Sequence, residues 1–144
     1  MAEGRARTVT VAANVAGIRA ALDELGRFCE AQAIPDEVRR RLTVALDEVL
    51  SNVARHGRPE DGKMQVRFSL TGDVLTVRVE DSAPAFNPLN APVPDTTSAI
   101  AYRKIGGLGI AVTKGLLEDV AYERADGRNR VTLVVRVSRT AEHS

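Results

Sequence analysis

Glu48 and Asn52 stand four residues apart in the run ALDEVLSNVARHG, residues 45–57. On a helix, positions i and i+4 share one side. A carboxylate there can act as a general base, and an amide oxygen one turn away can hold a Mg²⁺ ion. A solvated Glu and Asn on an exposed helix would show the same spacing, so the pair alone decides nothing. Asp81 closes VLTVRVED, where Leu75, Val77 and Val79 share one parity and Asp81 continues it. A carboxylate at the end of a buried row is expensive unless something binds it. It can accept a hydrogen bond from a ligand amine such as adenine N6, or fold back on its own backbone as an Asx turn. Gly106-Gly107-Leu108-Gly109 opens a further short helix. Glycines let a backbone approach an anion closely, and a helix N-terminus presents free N–H groups. An ordinary glycine-rich turn fits the same residues. The run is not a P-loop, because GK[ST] is missing, nor a dinucleotide fingerprint, because Val112 occupies the third glycine position. Arg103 and Lys104, just before it, can neutralise phosphate or simply be solvated.

These residues need elements to carry them. Thr8–Ala13 alternates and is rich in β-branched residues, which predicts a strand. Asn14 is placed to cap a helix bearing Val15, Ile18, Leu22, Leu25 and Phe28 at helical spacing. Pro35 marks the boundary before a second helix, Asp36 to about His56, whose stripe is Val38, Leu42, Ala45, Leu46, Val49 and Val53. Glu48 and Asn52 fall on the flank of that stripe, where a side chain can line a cavity between helix and sheet. His56 fits a helix end better than catalysis, and Gly57 a helix stop. In KMQVRFSL, Met64, Val66, Phe68 and Leu70 point one way, and Thr71-Gly72-Asp73 turns the chain into the next strand.

Residues 82–105 hold four of the six prolines and read as an irregular, lid-like stretch. A helix over about 108–117 follows, then strands near 119–124 and 130–137 joined over Asp126-Gly127-Arg128-Asn129. Strands arrive in hairpins and helices in groups. The expected fold is therefore α+β: a two-layer sandwich with a mostly antiparallel mixed β-sheet and helices packed on one face.

With 144 residues, one domain is expected, with its core over about 8–137 and a polar tail at 138–144. The net charge is +1 and aromatics are 3%, which argues against direct nucleic-acid binding. One cysteine, Cys29, excludes an internal disulfide and fits a core position in a reducing compartment. No apolar run approaches a membrane span, and residues 1–7 lead into no signal-peptide core, so a cytoplasmic protein is expected.

In combination the motifs say more. ALDEVLSNVARHG (45–57), VEDSAPAFNP (79–88) and RKIGGLGI (103–110), in that order, resemble the GHKL or histidine-kinase-like ATPase superfamily. The resemblance is strongest to its short branch, the anti-sigma-factor serine/threonine-protein kinases of bacterial partner switches, and covers about Val9 to Val137. It implies a histidine-kinase-like ATPase fold that binds ATP or ADP with Mg²⁺. It implies Glu48 as general base or water-positioning residue, Asn52 as Mg²⁺ ligand and Asp81 as the reader of adenine. It further implies a nucleotide site drawing on Ala83, Phe86, Arg103, Lys104, Gly106, Gly107, Leu108, Gly109 and Ile110. The implied partners are a STAS-domain anti-sigma antagonist as substrate, a sigma factor and a second copy in a homodimer. The family usually has Asp-x-Gly in its adenine motif, whereas here Asp81-Ser82-Ala83 stands. Glycine allows positive φ and close approach to the base, whereas alanine pays for either. That departure motivates an alternative reading, a nucleotide-gated binding module that sequesters a partner without phosphoryl transfer; a plain ATPase subunit fused or docked to a larger signalling assembly is a third.

Overall fold

The structure is a computed structural model and describes residues 5–57, 59–85 and 117–137. Its elements are β1 (Arg5–Ala12), α1 (Val15–Ala31), α2 (Asp36–Asn52), a π-helical turn (Val53–Gly57), β2 (Lys63–Thr71), β3 (Val74–Asp81), β4 (Asp119–Ala125) and β5 (Arg128–Arg136). The five strands form one sheet in the order β1-β2-β3-β5-β4, and every pairing in it is antiparallel. Both helices pack on one face, which gives the expected two-layer α+β sandwich.

Binary patterning explains the layers. Along β2, β3 and β5 the residues alternate between buried and partly exposed. Met64, Val66, Phe68, Leu75, Val77, Val79, Val131, Leu133 and Val135 therefore line the helix side. From α2, the stripe Val38, Leu42, Ala45, Leu46, Val49 and Val53 is buried against them as its spacing predicts, joined by Leu50. Phe28 of α1 stacks on Phe68 of β2, ring centroids 5.7 Å apart, fixing the first helix to the sheet. Asn14 caps α1, its side-chain oxygen accepting the Gly17 N–H at 2.9 Å. Pro35 precedes α2, and its carbonyl accepts from Val38 and Arg39 N–H at 3.0 and 3.2 Å.

Four local readings change. The first strand begins at Arg5 rather than Thr8, because Arg7 forms an ion pair with Glu24 of α1 at 2.8 Å and Arg5 bonds Gln32 at 3.2 Å. Val15 is 73% exposed and leaves the apolar face of α1 to Ala21, Leu25, Phe28 and Cys29, with Ile18 and Leu22 at its margin. The regular part of the second helix stops at Asn52, and the backbone widens into the π turn before Gly57. The last hairpin turns on two residues, Asp126 and Gly127, at φ +55° and +73°, the left-handed pair that suits an antiparallel twist. All but Leu117 of the third helix expected over 108–117, and most of the stretch 82–105, lie outside the described residues.

Candidate functional site

Among the described residues, three polar side chains are buried: Asn52 at 3% exposure, Asp81 at 3% and Asn129 at 1%. Two of them were singled out by motif, and all belong to elements that meet at the helix–sheet interface. Asn52 occupies the last α-helical position of α2, directly before the π turn, and π turns within helices recur at functional sites. Glu48, one turn earlier, is half-buried on the flank of the stripe.

Asp81 ends the inner row of β3, where it is register-paired with Asn129 of β5. One carboxylate oxygen, Oδ1, accepts the Ala83 N–H at 2.8 Å and Asn129 Nδ2 at 3.1 Å. The first bond is the Asx turn that residue chemistry allows at this place. Its other oxygen, Oδ2, takes no hydrogen bond from a described residue. The turn is therefore compatible with a ligand-acceptor role: Oδ1 anchors the carboxylate, and Oδ2 takes no hydrogen bond from a described residue. No direct bond joins Asp81 to Glu48 or Asn52, which approach from the helix layer.

Asn129 is the residue that motif reasoning missed. Its Nδ2 donates toward Asp81 Oδ1, Ala83 O at 3.3 Å and Pro84 O at 3.1 Å, so two hydrogens are shared among three acceptors. Its Oδ1 accepts Tyr122 Oη at 2.6 Å and Arg124 Nη1 at 3.1 Å. Donors face the oxygen and acceptors face the nitrogen, which fixes the amide orientation. Arg124 Nη1 also donates to Ala83 O at 2.8 Å. Strands β3, β5 and β4 are thus knotted to the segment leaving Asp81. The signal for Asn129 was its inward parity in β5, ahead of Val131, Leu133 and Val135.

Ala83 is fully buried. The non-glycine residues with positive φ among those described are Ala33 and Asp126, so Ala83 needs no left-handed backbone. The substitution for glycine carries no conformational cost here. Phe86, Arg103, Lys104, Gly106, Gly107, Leu108, Gly109 and Ile110 lie outside the described residues.

The donor chemistry suits the groups the motifs imply. Asn52 and Glu48 offer hard oxygen donors on one side of α2, appropriate to Mg²⁺. Asp81 offers a buried acceptor oriented by two donors, appropriate to an exocyclic amine. No group of three or more His, Cys, Asp or Glu that could cage a metal by itself occurs among the described residues. Nor is any helix of the described residues long and apolar enough to cross a membrane.

Known proteins resemble this chain in sequence and fold. Serine/threonine-protein kinase BtrW of Bordetella bronchiseptica is 26% identical over 98 residues, covering 67% of this chain and 69% of BtrW. The structure of the RsbU and RsbW domains of Rv1364c from Mycobacterium tuberculosis superposes with a TM-score of 0.65 at 17% identity, over 94% of this chain. This chain covers 32% of that longer one. The SiaB–SiaC complex from Pseudomonas aeruginosa matches at TM-score 0.52 and 15% identity, over 90% of this chain and 88% of the other. Both likenesses are of fold. Residues 11–135, which run from the end of β1 to the penultimate residue of β5 and include all three buried polar side chains, match the family described as histidine kinase-like ATPase domain, and the chain belongs to that family.

Proposed function

We propose that this protein is an ATP-dependent serine/threonine kinase that also serves as an anti-sigma factor in a bacterial partner switch. The observation that carries the reading is the buried polar set. Hydrophobic burial dominates the interface, yet Asn52 and Asp81 are kept inside it, at the two motif positions that imply nucleotide chemistry. The name of the relative BtrW supports kinase activity, and the fold likeness to the RsbW domain supports the partner-switch setting.

In this reading Asp81 Oδ2 accepts the adenine amine while Asn129 and the Ala83 N–H hold the carboxylate still. Asn52 would hold Mg²⁺ through its amide oxygen, and the ion, when bound, supplies neutralisation of phosphate charge. Glu48 accepts the proton of a partner's serine hydroxyl as that oxygen bonds to the γ-phosphorus. The bond from the γ-phosphorus to the β–γ bridging oxygen breaks, and ADP leaves. Phosphoryl transfer is mostly positioning plus electrostatics, so few side chains are required. The glycine run Gly106–Gly109, with Arg103 and Lys104, enters on its sequence alone as the phosphate cradle. The substrate is a STAS-domain antagonist. Its phosphoserine adds about two negative charges and releases it, freeing the kinase to hold a sigma factor. A homodimer fits, with the edge strand β1 and α1 as contacts. The alternative of a nucleotide-gated binding module without phosphoryl transfer draws its support from Ala83: its backbone needs no positive φ, while its methyl stands where glycine would let the chain approach the base more closely.

The test is incubation of the chain with Mg-ATP and a STAS-domain antagonist. Phosphoserine forms with the native chain and is lost in Glu48→Gln, which still binds nucleotide. Undiminished phosphoserine in Glu48→Gln overturns the role of Glu48.

A further inference from the structure

The face of the sheet turned away from the helices carries a group of cations with no role in the site above. Arg67 of β2 and Arg78 of β3 stand directly opposite each other in the register. Ser69 and Thr76 form the next opposed pair on the same side. These four side chains line a groove of about 310 Å³. Like charges directly opposite on neighbouring strands repel.

Elsewhere on this face the described arginines of β5 are matched by carboxylates. Arg128 and Arg130 meet Glu80 at 3.1 and 2.8 Å, Arg130 also meets Glu123 at 2.7 Å, and Arg136 meets Asp73 at 3.3 Å. Among the described residues, Arg67 and Arg78 form no ion pair. Arg67 donates to Thr8 Oγ1 at 3.3 Å, a long neutral contact. Arg78 Nε is shut off from solvent and has no hydrogen-bond partner among the described residues. A desolvated guanidinium donor without an acceptor is unfavourable, and here it lies beside a second uncompensated guanidinium.

We propose that Arg67 and Arg78, with the Ser69 and Thr76 hydroxyls, form a binding site for a dianionic phosphate group on the outer face of the sheet. Two planar guanidinium forks present several N–H donors, which suits oxygens arranged in a tetrahedron. A dianion balances both charges, whereas one carboxylate balances only one. The group is either inorganic phosphate or the phosphoryl of a phosphoserine. The site lies on the opposite face from Asp81 and does not depend on the kinase reading.

The full chain is titrated with inorganic phosphate, phosphoserine and acetate at constant ionic strength, while the Arg Nε–Hε resonances are followed by NMR. Phosphate shifts the Arg78 resonance saturably, and its affinity rises about tenfold from pH 5 to pH 7 as the second phosphate proton leaves. Arg67→Gln weakens this binding tenfold or more, and so does Arg78→Gln when read on the Arg67 resonance. Both variants melt no lower than the native chain in phosphate-free buffer, because the repulsion is relieved. Tighter binding of phosphoserine than of inorganic phosphate assigns the site to a phosphoprotein, and the reverse order assigns it to the free ion. Asp81→Asn leaves the shift unchanged, which separates this site from the nucleotide pocket. The proposal is overturned if phosphate gives no saturable shift, if acetate matches it, or if the two glutamine variants bind as the native chain does.

Discussion

Asn129 reaches across the β3–β5 seam to Asp81, its Nδ2 lying 3.1 Å from the carboxylate Oδ1. A buried carboxylate on a strand end has little to orient it unless neighbours supply donors. Here the orientation comes from the adjacent strand and from the turn at Ala83, both acting on Oδ1, while Oδ2 takes no hydrogen bond from a described residue.

Asn129→Ala removes donors from Asp81, Ala83 and Pro84 and an acceptor from Tyr122 and Arg124. Leaving such groups unmatched in the interior costs about 1–3 kcal/mol each when no water replaces the partner. Chemical denaturation of Asn129→Ala should show a loss of at least about 2 kcal/mol, and nucleotide affinity should fall with it. Native stability would mean that the amide is incidental.

Gly17 lies in the first turn of α1 where the chain has just left β1. A Cβ there would collide with the carbonyl oxygen of Ala12 and sit 2.6 Å from its carbonyl carbon. Alanine gains up to about 1 kcal/mol over glycine in a helix interior. The clash is with backbone, which cannot swing aside, and overpacking costs typically about 1–3 kcal/mol. Gly17→Ala should therefore lower the melting temperature. Gly26→Ala is the control, since nothing lies within 4 Å of its added Cβ, and it should hold or raise that temperature.

Burial pushes the Cys29 thiol up from 9.0 to about 11. In the folded chain at pH 8 the thiolate fraction is correspondingly small, and reaction with a thiol reagent should be at least about a hundredfold slower than after unfolding. The sign for stability follows. The folded state holds its proton more tightly, so this contribution is complete below pH 9.0 and is lost as pH rises through about 11. Denaturation midpoints should fall across that window. Rapid modification of the native chain at pH 8 would contradict the buried placement.

The elements were largely legible because their patterns are pure. Period-two alternation in β2 and β3, the helical stripe of α2, the Asn14 cap and the Gly72 turn each follow from local chemistry. Asp81 was legible as an acid continuing a hydrophobic row. Asn129 was not, because its importance lies in a cross-strand pairing 48 residues distant, and no local pattern reports that. The start of β1 was missed because Arg5 and Arg7 are anchored by α1, a tertiary reason. Val15 was misjudged because helical spacing alone does not report that the first residue of α1 is left exposed. Phe86 and the run from Arg103 to Ile110 rest on their motif.

The central claim is that Asp81 reads adenine in a pocket between α2 and the sheet. Calorimetric titration of the native chain and of Asp81→Asn with Mg-ADP tests it most directly. The native chain should bind stoichiometrically, and the variant should bind about 10- to 100-fold more weakly, the effect of losing a hydrogen bond to a charged acceptor. Equal affinity in the two proteins, or no heat of binding in the native chain, would contradict the account.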